Sequence, residues 1–354
     1  MFRVLWLGLV ALAWMAASPA AAKPQLFDDG APPLQIVITA PFPALVRAAP
    51  ISTKPFPATL SVTDGDGPAQ SMPIQVSARG HSRRIGDYCT FPPLWLKFDK
   101  ASAKGTLFHG QHKLKLTTYC RPGPDYEQRI VLEYLVYRLY NLLTPMSFRA
   151  RAAEVTYKNA DGRGDAVTRF GFLIEDIDGV ADRNDRDRLK AMTHQVRAAQ
   201  LDAHATARAA LFEYLIGNQD WEFLASSPGV ECCHNVRLIA ARGATPASAS
   251  AVVPIPYDFD STGFVDPPYG ETPPGLPIER LTQRFYRGYC VSSGEIASVA
   301  DEFRAHRAQM VAVINGEAQL NEAFRVKTTH FVDGFFAVLD DPARLEREIT
   351  RRCR

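Results

Sequence analysis

The sequence is short of net charge: 40 Lys and Arg against 38 Asp and Glu leave +2 at pH 7. So small an excess excludes the strong basic field on which nucleic-acid binding or attachment to anionic membranes depends. Beyond its first residues the chain has no apolar run approaching the ~20 residues a helix needs to cross a bilayer. Cys-x-x-Cys pairs are missing as well. The triplet Cys232-Cys233-His234 therefore lacks the partner motif of a structural zinc site.

What is there begins with an address. Met1-Phe2-Arg3, the short apolar run over residues 4–15 and Ala20-Ala21-Ala22 have the form of a signal peptide over residues 1–22. We expect an exported protein, periplasmic or extracellular, without a transmembrane segment in the mature chain. Six cysteines, an even number, favour disulfides in such a compartment, with the pairing left open.

From residue 23 the chain is proline- and alanine-rich, an extended lead-in with a strand over residues 34–38. Apolar alternation then predicts strands over residues 74–78, 94–98 and 112–117, and further strands over residues 153–157 and 169–174. The expected product is a twisted antiparallel sheet carrying Arg79, Arg83, Arg84, Lys97, Lys113 and Lys115. Such side chains commonly face solvent. They also suit a phosphate cradle, with Gly80 allowing close backbone approach.

Residues 126–143 predict a largely buried helix containing Glu127 and Glu133, either of which could orient a lysine of the sheet, and Pro145 stops it. A second helix over residues 205–216 ends at Gly217-Asn218, a left-handed stop, so Asp220 lies on a loop leaving a buried helix. The apolar runs 236–240 and 252–256 predict a hairpin with Asn235 and Asp258 as neighbours. An amide oxygen beside a carboxylate, with Asp260 just beyond, suits a hard cation such as Mg2+. Helices are expected over residues 281–289 and 298–320, and a last one opening at Asp341-Pro342.

Together these features have a resemblance. Arg79-Gly80-His81-Ser82 resembles the Arg-Gly-Asn-Ser turn of the CotH family of spore-coat protein kinases, and Leu96-Lys97-Phe98 resembles the lysine strand after it. Gly217-Asn218-Gln219-Asp220 resembles the Asn-x-Asp catalytic loop, His234-Asn235 the His-Asn pair, and Pro256-Tyr257-Asp258 the Pro-Trp-Asp metal turn. The likeness spans residues 74–263 in the right order. It implies Asp220 as catalytic base and Asn235 and Asp258 as Mg2+ ligands. It departs from protein kinases in lacking a glycine-rich loop, and Asp258-Phe259-Asp260 has an aspartate where Asp-Phe-Gly has glycine.

The expectation carried to the structure is an α+β chain with a two-lobed atypical protein-kinase-like fold. Residues 23–176 would form an antiparallel N-lobe sheet with one long helix, and residues 177–354 a mostly helical C-lobe. The expected function is phosphoryl transfer from Mg-ATP to a hydroxyl on a protein substrate. Asp220 is the catalytic candidate, and Asn235, Asp258 and Asp260 are the metal candidates. Arg79, Lys97, Lys115 and Glu133 are the candidates for holding ATP; strand-then-helix order points to Lys115, the motif resemblance to Lys97. A catalytically silent extracellular binding or surface-assembly module is the competing expectation, and nucleotidyl transfer a third.

Overall fold

A computed structural model describes residues 26–27 and 30–354. The leader expected over residues 1–22 lies outside the described residues. The N-terminal half contributes strands β1 (Leu34–Ala40), β2 (Phe56–Thr63), β3 (Gln70–Ala78), β4 (Leu94–Phe98) and β5 (Lys113–Thr117), with short helices α1 (Phe42–Ala48) and α2 (Lys100–Ala103). After helix α3 (Pro124–Leu143) come β6 (Ala150–Asn159), β7 (Val167–Ile174), α4 (Ile177–Asp182) and β8 (Arg186–Arg188). The remainder is α5 (Ala203–Ile216), β9 (Val236–Ala241), β10 (Val253–Pro256), α6 (Ile296–Asn315), α7 (Glu322–Leu339) and α8 (Pro342–Glu348).

The first seven strands close into a barrel in the order β1-β2-β3-β4-β5-β7-β6. This overturns the expectation of a two-lobed kinase-like fold with an open antiparallel N-lobe sheet. Closure depends on β1, which pairs antiparallel with β2 (Ile36 opposite Val62) and parallel with β6 (Ile36 opposite Val155). The strand β2, hidden in sequence by its proline-rich surroundings, supplies the missing wall. Alternation sends Leu34, Ile36, Leu60, Val62, Ile74, Val76, Leu96, Leu114 and Val155 into one interior core. Joining the ends of the sheet leaves no unpaired edge to be covered. Phe98 stacks on Phe108 with ring centroids 4.7 Å apart at one mouth, and α1 sends Phe42 and Leu45 into the same core at the other.

The second core lies outside the barrel. Phe170 and Phe172, on the outward face of β7, meet Tyr134 and Tyr137 of α3 at centroid distances of 5.6–5.8 Å. The opposite side of α3 packs on α6, and α5 lies among α6, α7 and β10. α5 is capped at its start by Asp202, which accepts from Ala205 N at 2.8 Å. It ends at Gly217, φ +64°, where a side chain would crowd the Leu281 carbonyl and Gly263. A separate three-stranded sheet, β10-β9-β8, completes this body.

Residues 281–289, expected as a helix, run irregularly. Arg284 there donates to the carbonyls of Leu215 and Phe331, and Tyr286 is buried, so contacts with α5 and α7 fix the segment in place of its own helical bonds. The helix expected over residues 298–320 runs over Ile296–Asn315 and stops at Gly316, and α7, beyond the expected span, follows as a separate element. Three disulfides, Cys89–Cys120, Cys232–Cys233 and Cys290–Cys353, account for all six cysteines. They are compatible with an exported protein. No described helix is long and apolar enough to cross a membrane.

Candidate functional site

The loop leaving α5 is fixed by its own backbone and side-chain hydrogen bonds. Asn218 N donates to Glu213 O at 2.8 Å, Asp220 N to Asn218 Oδ1 at 2.9 Å, and Trp221 Nε1 to Asn218 O at 3.2 Å. From the other side Arg287 donates to the carbonyls of Gln219 and Trp221. Asp220 thus projects from a rigid turn with its side chain half-exposed.

The β9–β10 hairpin forms as expected, with Val236 opposite Pro256. Tyr257 N donates to Asn235 O at 3.0 Å, which brings Asn235 beside Asp258. Both residues have left-handed backbones, φ +53° at Asn235 and +67° at Asp258. Asn and Asp are the non-glycine residues that tolerate this conformation best. His234 Nε2 donates to Asp220 Oδ1 at 2.6 Å, and Asn235 Nδ2 donates to Asp220 O at 2.7 Å and Oδ2 at 3.1 Å. Asp258 is anchored from below, its backbone N donating to the Tyr137 hydroxyl of α3 at 3.0 Å.

The barrel faces this group with cations. Arg79, at the end of β3, donates to Thr117 Oγ1 at 3.1 Å and stands 3.9 Å from Asp258 Oδ1. Lys115, on the outward face of β5, rests its Nζ 3.8 Å above the Tyr257 ring, against which Arg237 also packs. Arg83 lies deeper, 3.1 Å from Glu133 Oε2 and 3.7 Å from Asp260 Oδ2, and donates to Thr118 O at 3.2 Å. Asp260 also accepts from the Tyr269 hydroxyl at 3.4 Å.

Burial and charge set the protonation of these groups. Desolvation, reinforced by Arg79, pulls Lys115 down to about 7 despite nearby Asp258. Desolvation pushes Glu133 up to about 7 and Asp260 up to about 6, in both cases against the charge of Arg83. Burial works against the Arg83 charge, yet Tyr269, Glu133, Asp260 and Asp258 together hold it above its usual value. At Asp220 desolvation is overcome by His234, Asn235 and Arg287, so the carboxyl sits below its ordinary value. His234 is raised, first by its hydrogen bond to Asp220.

No family model matches this chain, and no curated protein matches it.

Of the residues singled out in the sequence, Asp220, Asn235, Asp258, Arg79 and Lys115 lie together in one cluster. Glu133 lies beneath it, bound to Arg83 rather than to a lysine. Glu127 accepts from Phe170 N at 2.8 Å and serves the α3–β7 contact. Lys97 does not join them: it is exposed on the outside of β4, opposite Gln75 and Lys113. Sequence reasoning did not single out Arg237, Tyr137 or Tyr269, which contact Tyr257, Asp258 and Asp260 respectively. Tyr137 could have been noticed as the hydroxyl of an otherwise apolar helix face.

As a place for a Mg2+ ion the donors divide. Asp258, whose side chain is 38% exposed, and the side-chain Oδ1 of Asn235, whose Nδ2 is committed to Asp220, are the partly exposed oxygen groups of the cluster. That suits an ion which usually takes one or two carboxylates and completes its shell with water and phosphate. Asp260 fits less well, since Arg83 and Tyr269 already hold it. Among the described residues no three His, Cys, Asp or Glu side chains form a metal cluster of their own.

Proposed function

We propose that the cleft between the barrel and the α5 body binds ATP with Mg2+ and transfers a phosphoryl group to a hydroxyl, on a protein acceptor. One observation carries this reading: Asp220 and Asn235 form a single hydrogen-bonded unit beside Asp258, with Arg79 and Lys115 facing them from the barrel. The resemblance of the same residues to CotH-family motifs supports it. When bound, the ion neutralises phosphate charge and fixes the leaving group.

The chain's own residues supply the rest. Asp258 and the Asn235 carbonyl hold the ion. Arg79 offers a guanidinium and Lys115 an ammonium to phosphate oxygens, and an incoming phosphate favours the protonated form of Lys115. Asp220, kept ionised by His234, accepts a hydrogen bond from the acceptor hydroxyl and aims its oxygen. As the new oxygen–phosphorus bond forms and the bond to the departing ADP oxygen breaks, the hydroxyl proton passes to Asp220. Because Asp220 is a weak base here, its main contribution is orientation.

Calorimetry of the mature protein with ATP, with and without Mg2+, tests the reading. Metal-dependent binding that Asp258→Ala removes supports it; absence of both nucleotide binding and transfer defeats it. One observation favours a catalytically silent binding module instead, namely that Arg83 already compensates Asp260. Nucleotide-independent retention of a protein partner would mark that outcome.

A further inference from the structure

We propose that Arg354 is a positioning residue for the Asp220 loop, held in place by the Cys290–Cys353 disulfide, and that opening of this disulfide by a dithiol loosens the loop. The segment after α8 runs back beside residues 288–290. Arg354 N donates to Gly288 O at 2.9 Å, and Cys290 N donates to Arg354 O at 3.0 Å. The disulfide, with a sequence separation of 63, closes the same contact covalently.

From there the Arg354 guanidinium reaches the loop. Its Nη2 donates to Glu222 Oε2 at 2.5 Å and its Nε to Arg287 O at 2.9 Å, and the group lies 5.7 and 5.1 Å from the ring centroids of Trp221 and Tyr289. The Tyr289 hydroxyl donates to the other oxygen of the Glu222 carboxylate. Desolvation opposes the charge on Glu222, but Tyr289 and Arg354 hold its carboxyl below the ordinary value. Glu222 grips the site through its backbone, its N donating to His234 O at 3.0 Å. Arg287, whose carbonyl accepts from Arg354, donates in turn to the carbonyls of Gln219 and Trp221 on either side of Asp220.

Accessibility singles out this bridge. Cys89, Cys120, Cys232 and Cys233 are each 3% exposed or less, whereas Cys290 is exposed and Cys353 half-buried. Exchange requires a thiolate to reach a disulfide sulfur, so a dithiol meets this bridge first. One thiolate of the dithiol bonds to Cys290 Sγ as the bond to Cys353 Sγ breaks, and the electron pair leaves with Cys353. The second thiol then attacks its partner sulfur in the mixed disulfide and releases Cys290 as a thiolate. The dithiol ends as a disulfide, and its two protons pass to the two cysteines. Arg354 is then held by non-covalent contacts alone, and its segment opens locally more often.

The bearing on catalysis rests on the phosphoryl-transfer reading; the coupling itself does not, and its test uses no nucleotide. Trp95→Phe leaves Trp221 as the one tryptophan beyond residue 22. In that background, dithiothreitol under native conditions, followed by iodoacetamide and peptide mass spectrometry, should label Cys290 and Cys353 ahead of the other four cysteines. Amide exchange at Glu222 should then accelerate about ten-fold, the value of one hydrogen bond to a charged group, and Trp221 emission should shift to the red. Arg354→Ala, with the disulfide intact, should do the same, while exchange in β4 stays as in the unreduced protein. Earlier labelling of another cysteine pair, or unchanged Glu222 exchange in either the reduced protein or Arg354→Ala, would overturn the proposal. Where ATP transfer is measurable, kcat should fall on reduction with KM for ATP held, since Asp220 orients the acceptor. An unchanged kcat would overturn the positioning role, while absence of any transfer would defeat the phosphoryl-transfer reading alone.

Discussion

His234 Nε2 stands 2.6 Å from Asp220 Oδ1, and the neighbouring Asn235 amide grips the same aspartate through both its backbone and its carboxylate. Two consecutive residues at the entrance to β9 thus fix the one carboxylate at the exit of α5. The contact joins two elements that meet only in the folded chain.

The pairing makes a titration prediction. His234 is raised above its ordinary 6.5 chiefly by the Asp220 hydrogen bond. Its stabilising effect is therefore fully present below the unfolded value and is lost as pH rises through the higher folded value. In Asp220→Asn the His234 ring should titrate closer to 6.5, as followed by its imidazole proton resonances. An unchanged midpoint would show that Asp220 does not control it.

Lys115 gives the opposite sign. Its folded value of about 7 lies below the ordinary lysine value of 10.5, so between these limits the unfolded chain binds more protons and stability rises with pH. Lys115→Met should flatten that part of the stability profile measured by denaturant unfolding. Amine-directed acylation near neutral pH should label Lys115 ahead of the exposed Lys97, with Mg-ATP protecting it if the proposed function holds.

The Arg83–Glu133 pair is buried on both sides, at 7% and 1% side-chain exposure. Removing the cation strands two acidic groups, Glu133 and Asp260, in a dry environment. Arg83→Ala is expected to cost about 3–5 kcal/mol in urea unfolding. Arg83→Ala with Glu133→Gln should recover part of that loss, because the stranded charge is gone.

Within the cleft, Asp258→Ala and Asn235→Ala should each weaken Mg2+-dependent nucleotide binding. The loss should at least match the roughly 10–100-fold effect of removing an outer-shell partner from a metal site. Calorimetry reads this directly. Asp260→Asn should have a much smaller effect on metal dependence, since its carboxylate is engaged by Arg83 and Tyr269.

Cys89–Cys120 closes a loop of sequence separation 31 that contains β4 and β5, directly after the segment that carries Arg79 and Arg83. Replacing both cysteines by alanine should cost about 3–4 kcal/mol by the loop-entropy relation. The measurement is urea unfolding of the double variant beside the wild type.

Much of this chain could be read locally. Period-two alternation located β3, β4, β5 and the core of β6 and β7. A left-handed stop at Gly217 placed Asp220 on its loop, and two apolar runs around a turn-rich linker set Asn235 beside Asp258. These are short-range properties, decided by side-chain periodicity and backbone preference within a few residues. What the tertiary structure decided depends on partners far apart in the chain. β1 closes the barrel only by pairing with β2 and with β6, more than a hundred residues away, and no local pattern distinguishes a closed sheet from an open one. Lys97 and Lys115 share the outward face of the barrel, yet only Lys115 meets the α5 body, through Tyr257. Glu133 took Arg83 in place of a lysine, because the turn that follows β3 brings that guanidinium over α3. Local sequence therefore determined where the charged and polar residues stand on strands, turns and helix ends, while the curvature of the barrel and its docking on α3 determined which of them meet.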